Sequence, residues 1–157
     1  MPAQIPCLWF DGQAEPAARL YTEVFPNSTI DGITHYGPDT PGTEGAVLTV
    51  DFTLDGTKYV GLNGGPQFTF SEAISFQIMC ADQDEVDHYW TKLSDGGVTD
   101  QCGWLKDRFG LSWQIVPERM GELLSDPNPA RAQAAMQAML QMQKIDLKVM
   151  EDAANSA

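Results

Sequence analysis

Basic residues are scarce in this chain. Nine Lys and Arg stand against 22 Asp and Glu in 157 residues, a formal net charge of −13. Phosphate backbones are gripped by clustered Lys and Arg, so this balance argues against nucleic acid as a partner and is read as serving solubility. Cysteine is also sparse. Cys7, Cys80 and Cys102 are odd in number and lack a CxxC spacing, which suggests neither a disulfide framework nor a structural zinc site. No run of about 18 apolar residues occurs, and the N-terminus lacks the basic-then-apolar layout of a secretory signal. The sequence therefore reads as a soluble, cytoplasmic protein with no membrane partner. Its length suits one domain, and a hydrophobic content of 43% supplies a core.

What is present is best seen from Cys102 to Pro117. Gly110 separates two alternating runs, Trp104 to Phe109 and Leu111 to Val116, as two strands joined by a tight turn. Leu111, Trp113 and Ile115 then share one face, and Ser112, Gln114 and Val116 the other. Gln114 is a polar amide in apolar company and must find a partner, a water or a ligand.

Along the chain, Ile5 to Phe10 reads as a strand and Ala14 to Phe25 as a helix, with Pro16 tolerable in the first turn. Thr29 to Tyr36, Ala46 to Leu54 and Lys58 to Asn63 read as strands, the last two joined by an Asp55-Gly56 turn. The order then repeats: a strand over Ala73 to Cys80, a helix over Asp82 to Leu93 capped by Asp82, a brief strand over Val98 to Gln101, and the hairpin. Sliding the chain on itself sets Leu20-Tyr21-Thr22-Glu23-Val24 over Tyr89-Trp90-Thr91-Lys92-Leu93. A duplicated strand-helix-strand-strand-strand unit follows from that shared order. After Pro117 come a helical turn or two from Met120 to Leu124, a helix from Ala130 to Gln143 with Asn128 as cap and Pro129 at its first position, and a short helix from Asp146 to Ala154. This Met-rich tail packs either on a partner subunit or on its own sheet.

Several stretches resemble a known family. Cys7 to Gly12 with Ala14-Glu15 and Leu20-Tyr21, Leu62 to Pro66, Glu72 to Phe76, Cys102 to Trp104 and Trp113 to Pro117 are similar to the PhnB-like proteins. These form a branch of the glyoxalase/bleomycin-resistance (vicinal oxygen chelate) superfamily, often labelled 3-demethylubiquinone-9 3-methyltransferase domain proteins. The likeness takes in nearly the whole chain, tail included. It implies an α+β fold of two βαβββ modules (1–66 and 67–117) with a helical extension (118–157), closing around a cleft, in a homodimer that shares or swaps modules. It also implies a metal box, with positions that fall here on Pro6 (or, less well, Gln4), Gly61, Ser75 and Gln114. Proline and glycine have no side-chain donor and serine is a poor ligand, so no metal and no cofactor are expected. Asn63-Gly64-Gly65-Pro66 precedes a loop and carries a proline, unlike the glycine-rich strand-to-helix turn that commonly holds a methyl donor.

The expected function is binding of a small organic molecule in a metal-free cleft. The alternative is an enzyme: a metal-dependent lyase, isomerase or dioxygenase, or a methyltransferase. Candidate ligand-binding residues are Asn63, Ser75, Gln77, Trp104, Lys106, Arg108 and Gln114, with His35 as a weak candidate for a general base. Against these stand plainer readings. Asn63 and Gln114 could satisfy each other or backbone, Lys106, Asp107 and Arg108 could form a solvated hairpin edge, and Trp9, Trp104 and Trp113 could fill the core instead of walling a planar ligand. Without a His or cation beside them, the cysteines read as structural.

Overall fold

Asp55 and Gly56, with φ of 44° and 90°, reverse the chain between two strands, as an Asp-Gly pair is suited to do. Their hairpin belongs to the first of two units, Met1–Phe70 and Ser71–Ala157, in the computed structural model, which describes residues 1–157. The first unit runs β1 (Cys7–Phe10), α1 (Ala14–Val24), β2 (Thr29–His35), β3 (Val47–Leu54) and β4 (Thr57–Asn63). β1 lies parallel to β4, and β3 and β2 follow antiparallel, giving the order β1-β4-β3-β2. The second unit repeats this with β5 (Phe76–Cys80), α2 (Gln83–Ser94), β6 (Val98–Thr99), β7 (Trp104–Lys106) and β8 (Ser112–Pro117), in the order β5-β8-β7-β6. The fold is thus α+β with two βαβββ modules, and α3 (Glu118–Leu124), α4 (Pro129–Met139) and α5 (Leu147–Asn155) form the helical extension.

Each module is built by one apolar helix face on one sheet face. Ala14, Ala17, Ala18, Tyr21 and Val24 recur at helical spacing and are buried, as are Val50, Phe52 and Leu54 of β3. Tyr21 and Phe52 meet at 6.2 Å between ring centroids. In the second unit Val86, Tyr89 and Leu93 of α2 are buried with Ile78, Leu105, Trp113 and Ile115. Burying such side chains contributes about 1.5–3 kcal/mol each. Asp82 starts α2 by accepting from Glu85 N–H, while the Glu85 carboxylate accepts from Ala81 N–H, both at 2.9 Å. This reciprocal pair satisfies amides that the helix itself leaves open.

The burial patterns keep the repeat alignment in the helices and correct it by one position in the strands. Ala17 over Val86 and Val24 over Leu93 pair buried residues, whereas the same offset lays the buried Leu8 and Phe10 over the exposed Gln77 and Met79. A slip of one residue exchanges the two faces of a strand, so the module-one counterparts of any site residue move to the other side of the sheet.

Two further expectations change. α4 ends at Met139, short of Gln143, because Cys102 and Gly103 N–H donate to the carbonyls of Met142 and Gln143 at 2.9 and 2.8 Å and hold that segment out of helix. Gln83 adds a side-chain clamp, donating to Ile145 O and accepting from Leu147 N–H, both at 2.9 Å. With Leu123, Ala135, Ile145, Met150 and Ala154 as its core, the tail packs within its own unit. The hairpin centred on Gly110 is also shorter than its pattern: β7 stops at Lys106, and Asp107 to Gly110 form the turn. Asp107 is no solvated edge residue. It is 3% exposed, and its carboxylate accepts from Phe109 N–H, Leu111 N–H and Trp113 Nε1–H.

Candidate functional site

In the second unit, β5 and β8 run parallel with Gln77 opposite Gln114, and β7 sets Trp104 opposite Gln114 on the other side. Alternation places these three side chains on the sheet face turned away from the buried row of Ile78, Leu105 and Ile115. Gln114 Nε2 donates to Ser75 Oγ at 2.8 Å, and Gln77 Nε2 donates to Gln114 Oε1 at 3.3 Å. Three of the sequence candidates therefore form one polar cluster beside a fourth, the half-buried Trp104. Gln77 is exposed while Ser75 and Gln114 are less so, and the cluster lies at the surface of the sheet. Each amide and the Ser75 hydroxyl retain capacity to donate or accept beyond these bonds, which suits a carbonyl or hydroxyl on a neutral molecule.

Ser112 lies in the same row of β8. It is 1% exposed, and its Oγ is buried with no hydrogen-bond partner. A buried hydroxyl without a partner costs about 1–3 kcal/mol, which marks it as a residue that the sequence pattern alone does not single out. A signal is there nonetheless: serine is polar, and it alternates in phase with Gln114. Lys106, opposite Ser112, forms an ion pair with Glu72, and that pairing holds the Glu72 carboxyl below its ordinary range, chiefly through the hydrogen bond from Lys106. Arg108 is exposed and reaches Asp95 Oδ2 at 3.2 Å. Both cations are thus partly matched by carboxylates.

Asn63 belongs to the first unit and is 8% exposed. Its Oδ1 accepts from Ala14 N–H at 2.9 Å, its Nδ2 donates to Val47 O at 3.1 Å, and its backbone carbonyl accepts from Tyr36 O–H at 2.5 Å. The partners of Asn63 are backbone groups and a tyrosine, and not Gln114. His35 is exposed at the end of β2, opposite Val47. Trp113 is core, buried at 2% exposure and anchored to Asp107, while Trp9 donates from Nε1 to Gly65 O at 2.8 Å and meets Phe68 edge-on. The three tryptophans accordingly play three different parts.

The positions to which the resemblance assigns a metal need the corrected register. A Cβ built on Gly61 would come within 3.1 Å of Ala14 Cβ, so position 61 faces α1. The residues of β1 and β4 on the opposite face are Cys7, Trp9, Val60 and Leu62. Cys7, Trp9, Val60 and Leu62, and not Pro6 and Gly61, therefore share the face that corresponds to Gln77 and Gln114. Valine and leucine have no donor atom, serine is a poor ligand, and the Gln114 amide is bonded to Ser75 and Gln77, which leaves the Cys7 thiol as a lone strong donor. No group of three or more His, Cys, Asp or Glu side chains is placed to hold an ion. The residues present do not fit a divalent metal.

The architecture is the fold of the glyoxalase/bleomycin-resistance type. The family model described as 3-demethylubiquinone-9 3-methyltransferase matches residues 2–116, and the chain belongs to that PhnB-like family. A PhnB protein from Bacillus cereus is 32% identical, with a TM-score of 0.68 over 74% of this chain and 99% of its own. Fosfomycin resistance protein FosX from Listeria monocytogenes shares the fold at 17% identity, with a TM-score of 0.53 over 79% of this chain and 97% of its own. A glyoxylase/bleomycin resistance protein/dioxygenase domain from Frankia does so at 16% identity, with a TM-score of 0.50 over 74% and 91%. No curated protein matches the chain. The family match ends before α3, so it does not take in the Met-rich tail.

Proposed function

We propose that this protein binds a small, neutral organic molecule carrying a carbonyl or hydroxyl group on the Gln77–Gln114–Ser75 face of its second sheet, without a metal ion. The observation that carries this reading is the hydrogen-bonded cluster of two amides and the Ser75 hydroxyl in line with Trp104, which β7 sets opposite Gln114. A planar ligand stacks on Trp104 while its oxygen takes the remaining amide hydrogens. The donor set favours binding without a metal, because its oxygens and nitrogens are amides and alcohols, most of them already hydrogen-bonded to one another. The family name speaks of methyl transfer, yet β4 runs at Asn63-Gly64-Gly65-Pro66 into a loop and not into a helix, a poor cradle for a methyl donor. Exposed Met79 and Val98 on the same unit support a homodimer in which a second copy covers part of this face.

The test follows the side-chain amide signals of Gln77 and Gln114 by NMR while small aromatic ketones and amides are added to the full chain. Saturable shifts that vanish in Gln114→Ala, with no bound metal by elemental analysis, are expected. A stoichiometric zinc, nickel or iron ion, or turnover that both Gln114→Ala and His35→Ala abolish, would replace this reading with the enzymatic one.

A further inference from the structure

The first unit contains a hollow of about 840 Å³, lined by residues of that unit alone. Its walls come from the start of α1, the loop after β2 and the turn after β4, with Asp11, Glu15, Tyr36, Pro41, Val47 and Pro66 among the lining residues. Asn63 joins these walls, since its side chain and carbonyl bond to Ala14, Val47 and Tyr36. The loop is closed on itself as well: Tyr36 N–H donates to Ala46 O and Gly45 N–H to Tyr36 O, both at 2.8 Å. A Cβ at Gly42 would collide with the Tyr36 ring, and one at Gly64 with Trp9, so both glycines let backbone lie flat on an aromatic ring. The hollow is preformed, and its volume falls in the range of small-molecule sites, about 300–1,000 Å³.

Its chemistry selects the ligand. Helix starts usually welcome anions, but this one has little to offer them. Ala14 N–H is taken by Asn63, Pro16 has no N–H, and Ala17 N–H donates to Gln13 O. That leaves Glu15 N–H, on a residue that is itself acidic. The basic side chain in the lining, Arg19, donates to Glu15 Oε2 from Nε at 3.1 Å and Nη2 at 2.7 Å, so its charge is matched. Asp11, exposed at the rim, has no such basic partner and tips the local balance negative. Pro16, Pro41, Pro66 and Val47 supply apolar surface. We infer that this hollow is a second binding site, for a small organic cation: an ammonium group set toward Asp11 with a compact hydrocarbon body against the prolines.

Benzylammonium, benzyl alcohol and benzoate, added separately to the ¹⁵N-labelled full chain, test this. Benzylammonium is expected to shift the backbone amides of Gly12, Gly42 and Gly64 saturably, benzyl alcohol more weakly, and benzoate not at all. Asp11→Asn, at an exposed position, should weaken benzylammonium about threefold, the size expected of one partly screened charge. Thr43→Trp, which fills the hollow from an exposed loop position, should abolish the shifts. Benzoate binding as well as benzylammonium, or Asp11→Asn leaving its affinity unchanged, overturns the assignment. If the probes move the side-chain amides of Gln77 and Gln114 alone, this site is refuted while the sheet-face proposal stands. Shifts at the glycines with none at the glutamines support the hollow and count against the sheet face.

Discussion

Trp113 Nε1 donates to Asp107 Oδ2 at 2.9 Å, joining the strand β8 to the turn that precedes it. The other carboxylate oxygen accepts from Phe109 N–H at 2.9 Å and Leu111 N–H at 3.1 Å, so one buried acid organises the whole reversal. Asp107→Ala should cost about 3–5 kcal/mol, because it strands two amides and an indole N–H in the interior. Asp107→Asn should cost less, about 2 kcal/mol, since the amide oxygen still accepts from the turn. Urea unfolding followed by tryptophan fluorescence measures both, and equal losses for the two variants would refute the assignment of roles to the two oxygens.

Asn63→Ala removes the acceptor for Ala14 N–H and leaves Val47 O without its donor. The expected loss is about 1–3 kcal/mol, a helix cap plus a part-buried carbonyl that loses a donor. Asn63→Asp keeps the acceptor but turns a carboxylate toward Val47 O. Its folded-state pKa is therefore raised, so the stability of this variant should be greatest at acid pH and fall as pH rises through that value. A variant whose stability does not respond to pH would contradict the hydrogen-bond assignment.

Burial first, and then the carboxylates of Glu85, Asp82 and Glu118, push the Cys80 thiol up from an ordinary 9.0 to about 12. Cys7 is exposed by comparison, with its thiol raised by partial burial alone. At pH 8 a thiol reagent should label Cys7 well before Cys80, and Cys80 only upon unfolding. Because the raised value belongs to the folded state, stability present below pH 9 should decline as pH climbs toward 12. Mass mapping of the labelled peptides decides the order of reaction.

Thr53 and Thr29 donate their hydroxyls to the two oxygens of Asp31 at 2.6 and 2.7 Å, and these bonds hold its carboxyl below the ordinary range. A lowered folded-state value stabilises above the ordinary carboxylate range and is lost as pH falls through it. Asp31→Asn should therefore lower stability slightly at neutral pH and match the parent at pH 3, which shallows the acid side of the stability profile. Thermal melts from pH 6 to pH 3 would show it, and identical profiles would remove Asp31 as a contributor to acid sensitivity.

The order of elements is legible in the sequence because strand alternation, Asp-Gly and Asn-Pro signals and two amphipathic helices each leave a local trace. Strand faces are less so. The two modules share few letters, so a match that holds for the helices is off by one in the strands and puts Gly61 on the wrong side of β4. Gln114 stands out because an amide between apolar neighbours must be bonded, and its partners Ser75 and Gln77 are themselves polar residues near the same strand. Asp107 is hidden between Lys106 and Arg108, where three charges together look like a wet edge. Asn63 carries a subtler trace: α1 has Gln13 at its cap position with no side-chain bond, so the missing acceptor has to come from elsewhere in the chain.

That borrowed cap bears on how the first module comes into being. The acceptor for Ala14 N–H lies 49 residues downstream, so during synthesis the segment Ala14–Val24 leaves the ribosome long before the group that completes its first turn. An eleven-residue helix is marginal by itself in water. Its apolar side must then stay available until β4 arrives, which makes the nascent first half the stage at which a chaperone has most to hold.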